Sequence, residues 1–318
     1  MNYSTPASPD LAKTASKSPF VFLISDQRDW HARRMEEALA SAGARVARID
    51  LAACGFDTRS PSGLALPQFG SRLPDAALVR TLAAGSFEAV TKRLGVLHAL
   101  VCLGVPVWND ARAIERCVDK SMTSFLLARA GLPTPPTWTM ESPEAARALV
   151  ESETPAGPLV LKPLFGSQGK GLRLVRDLED LPAPREVAGV YYLQRYLPAA
   201  AEDFRDYRLF VLRGRIIAAM MRRAQTWITN VKRGGTPSRF ERDARMERLA
   251  IAAAQAVGAT FAGVDILLGT DGAPTVLEVN SMPAWSGLQK VSRIDIAGAI
   301  AAEFMAELAN RPAVGGNP

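Results

Sequence analysis

The stretch Thr275-Val-Leu-Glu-Val-Asn-Ser-Met-Pro-Ala-Trp285 runs apolar residues into Glu278 and Asn280 and then stops at Pro283. Val276, Leu277 and Val279 suit a buried strand, yet residues two apart on a strand face the same side. A carboxylate and a carboxamide therefore point together out of a core-like segment. Upstream, Gly263-Val-Asp-Ile-Leu-Leu268 embeds Asp265 in the same manner. Joined across Thr270-Asp271-Gly272, the two segments are predicted to form a β-hairpin that sets Asp265, Glu278 and Asn280 on one face. A bare carboxylate in such a strand is costly unless it is paired or bound to metal. Two readings follow. The acids pair with arginines of neighbouring strands, or the three oxygen ligands hold a hard cation such as Mg²⁺, completed by water and phosphate.

The second informative stretch is Phe165-Gly-Ser-Gln-Gly-Lys-Gly171, between the predicted strands Leu159–Lys162 and Leu172–Val175. Three glycines in six residues let backbone N–H groups turn toward an anion, and Ser167 adds a hydroxyl. The loop lacks G-K-[ST] and is followed by a strand, so it is neither a Walker loop nor a Rossmann fingerprint. A plain flexible hairpin loop is the other reading. Lys162, at the strand end, favours polyphosphate.

Charge is concentrated as well. Residues 205–248 hold twelve Lys or Arg against four acids, within a chain of net charge +6 and pI near 9.4. Such a segment is either a solvated surface or a device for anionic partners. Arg208, Arg222, Arg223, Asn230, Lys232 and Arg233 gather near predicted strand ends and the Gly234-Gly235 loop, where guanidinium forks suit carboxylates and phosphates.

Elimination narrows the chemistry. His31 and His98 are the only histidines, and no cysteine follows Cys117. A site in the remaining two-thirds has no Ser-His or Cys-His couple and no His or Cys zinc set. Oxygen ligands, Lys, Arg and backbone amides remain, the tools of magnesium and phosphate chemistry. Three cysteines without metal or disulfide spacing fit a reducing cytoplasm. No apolar run reaches the roughly 20 residues of a membrane span.

Pattern and punctuation predict an α/β chain. A disordered tail over 1–19 precedes a small α/β lobe over 20–115. That lobe has strands Phe20–Ile24, Arg45–Ile49 and Ala76–Leu82, and helices Arg28–Ala42 and Leu94–Leu103. A second lobe spans 116–197 and a third 198–311. The expected elements are one helix over 111–130, strands Trp138–Met140 and Tyr191–Leu197, a hairpin Tyr207–Leu212/Arg215–Met221, and helices Glu241–Val257 and Asp295–Leu308. The tail after Arg311 is expected to be loose.

In this order and spacing, Asp119-Lys120, Val160-Leu-Lys162, Gly166-Ser-Gln-Gly-Lys-Gly171, Leu193-Gln-Arg-Tyr-Leu197 and Asp206-Tyr-Arg208 resemble the ATP-grasp superfamily. So do Arg222-Arg-Ala224, Asn230, Arg233-Gly-Gly235, Ala262-Gly-Val-Asp-Ile266 and Leu277-Glu-Val-Asn280. Within it, the chain is similar to RimK-type α-L-glutamate ligases over roughly residues 110–305. The resemblance implies two α+β lobes clamping ATP behind the small N-terminal α/β lobe. Lys120 and Lys162 would contact phosphates, with Gly166, Ser167, Gln168, Gly169 and Gly171 closing over them. Gln194, Arg195, Tyr196 and Leu197 would form the adenine-side hinge, with Asp206 near the ribose. Asp265, Glu278 and Asn280 would hold Mg²⁺, two ions as a rule and with Mn²⁺ as a substitute. Arg208, Arg222 and Asn230 would be the catalytic set. Arg223, Arg233, Ser281 and Trp285 would border the substrates.

What this implies is an ATP-dependent amide-forming ligase that activates a carboxylate as an acyl phosphate and adds glutamate. The acceptor would be a ribosomal-protein C-terminus or a pterin- or furan-type C1-carrier, and self-association is expected. Two departures stand out: Arg195 where the family carries Glu, and Ser281-Met-Pro-Ala-Trp-Ser-Gly287 after the metal strand. A small-molecule kinase or a nucleic-acid-binding protein are the competing readings. The latter lacks interleaved aromatics, since Trp227 and Phe240 stand alone between Arg213 and Arg248.

Overall fold

The computed structural model describes residues 18–166, 168–199, 203–241 and 243–311. Residues 1–17 of the expected tail, Ser167, and the segment 312–318 lie outside the described residues.

Phe20–Ile24 is buried at all five positions, as a strand covered on both sides requires. It lies between Arg45–Ile49 and Ala76–Val79 in a parallel sheet whose far edge is Val107–Trp108. Helices Trp30–Ser41 and Phe87–Cys102 belong to this lobe. The second starts seven residues before the predicted Leu94 because the Ser86 side chain caps it, accepting from the Ala89 N–H.

The single helix expected over 111–130 is two, Ala111–Val118 and Lys120–Arg129. The break is Asp119, extended at φ −83° and ψ 104°, whose carboxylate accepts from the Ser121 and Met122 N–H groups. An aspartate prefers such a cap to a helix interior. The break has a functional consequence, because it sets Lys120 at the first position of a new helix.

A four-stranded antiparallel sheet follows, ordered Thr137–Met140, Tyr191–Arg195, Leu159–Lys162, Arg173–Val175, with helix Pro143–Glu153 against it. The largest sheet has five antiparallel strands, ordered Thr236–Arg239, Arg215–Ala224, Phe204–Leu212, Phe261–Leu268, Pro274–Asn280. Thr236–Arg239 was not anticipated. Its polar, proline-bearing sequence is tolerated because it pairs on one side only.

The two faces of the large sheet differ. One buries Leu209, Val211, Val264, Ile266, Val276 and Val279 with helix Ala244–Val257. The other buries Phe210, Leu212, Met220 and Phe261 with Trp285 and helix Ile296–Ala309, in a cluster shared with Val21, Leu23 and Met35 of the N-terminal lobe. Beyond that cluster the same face turns polar, and Arg208, Arg222, Asp265, Glu278 and Asn280 lie there.

Candidate active site

Register builds the polar face. Asp265 stands opposite Glu278 on one neighbouring strand and opposite Arg208 on the other, while Gly263 stands opposite Asn280. Directly opposed residues share a face, so the three oxygen-bearing side chains converge. A bulge between Asp265 and Ile266 shifts the register past Leu277 and lets Glu278 and Val276 take consecutive partners.

Both sequence readings of Asp265 meet here. Arg208 Nε and Nη2 donate to Asp265 Oδ1 and Oδ2 at 2.7 Å each, and Arg222 Nη2 lies 3.0 Å from Oδ2. Arg222 also forks onto Asp206, its cross-strand partner. Burial pushes the Asp265 carboxyl upward, but Arg208 and Arg222 outweigh it and hold it at about 2. Asp206, with Asp265 as a like-charged neighbour, is driven above its usual range, chiefly by burial. Asp206 was expected at a ribose. It is buried in this ion-pair network, because Arg222 faces it directly across the strands.

The donor set fits a hard cation. Among the described residues, Asp265 Oδ1 accepts one hydrogen bond and Glu278, half-buried, forms no ion pair, while Asn280 adds an amide oxygen. Oxygen ligands with spare lone pairs suit Mg²⁺.

Two lysines approach this face. Lys162 Nζ donates to Gln194 Oε1 at 2.5 Å, and Gln194 in turn donates to Thr137 Oγ1 at 3.0 Å. Burial, together with Lys120, draws the Lys162 ammonium down to about 8 against the pull of Glu278 and Asp265. Lys120 Nζ donates to the carbonyls of Leu164 and Gly166, at 3.3 and 2.8 Å, which ties the helix start to the glycine loop. Burial lowers its pKa too, opposed by Glu278 and Asp119. Desolvated lysines next to a carboxylate are poised for an anionic ligand.

The glycine loop meets the arginine-rich loop. Arg233 Nη2 donates to Gly169 O at 3.4 Å. Gly169 has φ +68°, and a Cβ there would lie 2.5 Å from Asn230 Oδ1. Gly171, at φ +73°, would clash with Pro163 at 2.7 Å. Gln168, just before Gly169, adopts φ 64°. Both glycines are required by conformation and by close approach.

Six of the expected residues lie outside the Arg208–Asp265 network. Arg195 alternates away from Gln194 along the strand and clamps the Glu153 carboxylate and the carbonyls of Glu153 and Gly157. Arg223, alternating away from Arg222, pairs with Asp203 at 2.9 Å and is exposed. Tyr196 sits edge-on to Trp227 at 6.1 Å, and Leu197 follows the end of the strand. Ser281 and Trp285 are buried, Trp285 in the apolar cluster that borders the oxygen face.

Sequence reasoning missed Asn109. Fully buried, it donates to Phe261 O and Ser281 O, at 2.7 and 2.6 Å, and accepts from the Thr260 and Phe261 N–H groups. His31 was also missed. Its Nε2 accepts from the Trp285 and Ser286 N–H groups, both at 3.1 Å, while Nδ1 faces Asp29 Oδ2 at 3.0 Å. Both residues sit at ordinary-looking positions, and only long-range contacts reveal them.

Among the described residues, no helix is long and apolar enough to cross a membrane. A profile of the RimK-like ATP-grasp domain matches residues 117–304. The tetrahydromethanopterin:alpha-L-glutamate ligase of Methanococcus maripaludis is 38% identical over 199 residues, 61% of this chain and 67% of that protein. The like-named protein of Methanosarcina acetivorans is 33% identical over 303 residues, 83% of this chain and 92% of that one. The solved structure of the ATP-grasp ligase PsnB complexed with minimal precursor, Mg and ADP aligns with a TM-score of 0.67 at 22% identity. It covers 91% of this chain and 98% of that chain, a likeness of fold. With the profile spanning more than half of its length, the chain belongs to the RimK-like ATP-grasp family.

Proposed function

We propose that the protein is an ATP-dependent carboxylate–amine ligase. It adds L-glutamate to a carboxylate-bearing acceptor through an acyl phosphate and releases ADP and phosphate. The observation that carries this reading is the convergence of Lys120, Lys162 and the glycine loop on the face that bears Arg208, Asp265, Glu278 and Asn280. The relatives named as tetrahydromethanopterin:alpha-L-glutamate ligases support a pterin-type acceptor. A furan-type C1 carrier and a ribosomal-protein C-terminus are the other acceptors to screen.

A carboxylate is a poor acylating agent, and phosphorylation makes it a good one. Phosphoryl transfer depends on positioning and charge neutralisation more than on covalent help from the protein. Lys120 and Lys162 bind the phosphates, and the loop 166–171 closes over them through Asn230 and Arg233. Arg208 and Arg222, fixed by Asp265 and Asp206, hold their guanidinium groups still, so little reorganisation is needed when charge develops. Asp265, Glu278 and Asn280 would hold Mg²⁺, two ions by family likeness and replaceable by Mn²⁺, which supplies neutralisation of phosphate charge when bound. An amine then attacks the acyl phosphate, and loop closure keeps water from it. No histidine or cysteine nucleophile is needed.

The test is a screen of pterin, furan and peptide acceptors with ATP, Mg²⁺ and glutamate, read by phosphate release and product mass. A gain of one glutamyl residue with ADP and phosphate supports the ligase. A gain of one phosphate on the acceptor makes it a kinase. Glu278→Gln should abolish turnover with the thermal midpoint unchanged, and near-normal turnover in that variant would remove Glu278 from the site.

A further inference from the structure

Arg80 is 4% exposed, yet no carboxylate oxygen of a described residue lies within 4.0 Å of its guanidinium. Its Nη1 donates to Met282 O at 3.3 Å, its carbon lies 4.9 Å from the Trp285 ring centroid, and Nε has no partner among the described residues. Burial pulls its pKa down to about 10 in spite of Asp29 and Asp26. An unpaired buried guanidinium is expensive unless a ligand completes it. Asp26 supplies the opposite charge nearby, with a buried Oδ1 that also lacks a partner among the described residues.

Position strengthens the case. Asp26 and Arg80 follow the carboxyl ends of the adjacent parallel strands Phe20–Ile24 and Ala76–Val79, and the Arg80 N–H donates to Ile24 O at 2.8 Å. Open α/β sheets bind ligands outside those ends. Met282 and Trp285 belong to the segment that leaves the oxygen face at Asn280, and its Ala284 carbonyl accepts from Arg208 Nη1 at 3.4 Å. The unpaired cation and anion are thus one short loop away from the arginine that faces Asp265.

We propose that Arg80 and Asp26 receive the carboxylate and ammonium groups of the incoming amino acid and so set its selection. This inference rests on the ligase reading above. The Trp285 ring, 4.9 Å from the guanidinium carbon, steadies the side chain, and the buried Nε is a donor left for a carboxylate. The amine held near Asp26 gives up a proton to water and attacks the acyl phosphate formed across the loop, so that the C–N bond forms as the C–O bond to phosphate breaks and inorganic phosphate leaves.

Calorimetry on the full chain with Mg²⁺ and a non-hydrolysable ATP analogue tests this, using L-glutamate and glutarate, which lacks the ammonium. Arg80→Met should weaken both probes about tenfold or more, and Arg80→Lys should weaken them less. Asp26→Asn should weaken L-glutamate alone. Unchanged affinity for the ATP analogue reports an intact fold in each variant. Wild-type glutamate affinity in Arg80→Met overturns the inference and leaves the ligase reading standing. So does an unchanged KM for glutamate with a raised KM for the acceptor, which would assign Arg80 to the acceptor carboxylate. Failure of the wild-type chain to turn over ATP with any acceptor is the separate failure of the ligase reading.

Discussion

Arg208 and Asp265 stand opposite each other on neighbouring strands, joined by two hydrogen bonds of 2.7 Å with the carboxylate almost wholly buried. Arg222 leans on the same carboxylate from one strand further away. Removing one member of such a network leaves uncompensated charge. Asp265→Asn is expected to cost about 3–5 kcal/mol of folding stability as well as activity. Urea denaturation checks it, and a loss below about 1 kcal/mol would mean that the pair is solvated in solution.

Lys162 gives a pH dependence with a definite sign. Its folded pKa, drawn to about 8, lies below the ordinary 10.5. Phosphate favours the charged form, so nucleotide affinity should fall as pH rises through about 8 and binding there should take up a proton. The unfolded chain binds the extra proton between those two values, so the lysine opposes folding most below about pH 8 and less as pH rises. Lys162→Met should therefore raise stability at neutral pH by on the order of 2 kcal/mol while abolishing turnover. Calorimetry in buffers of different ionisation enthalpy reads the proton uptake.

Gly169 meets Asn230 across the loop contact, with a positive φ and 2.5 Å of clearance for a Cβ. Gly169→Ala combines roughly 1 kcal/mol of left-handed strain with a steric clash. It should lower kcat/KM on the order of tenfold with little change in thermal midpoint, since the loop is partly exposed. Steady-state kinetics beside a melting curve separates the two effects. Normal kcat/KM would show that loop closure does not use this contact.

Asn109 makes four hydrogen bonds to backbone groups of residues 260, 261 and 281. Asn109→Ala strands buried donors and acceptors worth about 1–3 kcal/mol each. The expected result is a loss of at least about 3 kcal/mol. It should come with faster amide exchange at Thr260 and Phe261, measurable by mass spectrometry.

The oxygen face was legible because strand alternation is a property of the backbone: Asp265, Glu278 and Asn280 had to project together once their segments paired. The spacing of glycines around Lys170 announced a backbone that needs positive φ, and Gly169 and Gly171 adopt it. Helix limits were less legible. One aspartate at 119, unremarkable in a helical pattern, capped a new helix and so decided where Lys120 points.

The same alternation that exposed the site also misdirected two residues. Arg195 and Arg223 carry the right charge in the right motif, but each follows a site residue by one position and so faces the other side. Whether Asp265 is paired or waiting could not be read in advance, because its arginine partners lie 57 and 43 residues away, in register across the sheet. The sequence by itself determined which segments are strands, which residues share a face, and which family the chain resembles, all consequences of local geometry and short-range order. Only the tertiary structure decided the charge pairing around Arg222, the burial that lowers the Lys162 pKa, the anchoring by Asn109 and the unpaired Arg80 against Trp285. Those depend on which distant side chains the folded backbone brings within hydrogen-bonding distance and which it removes from water.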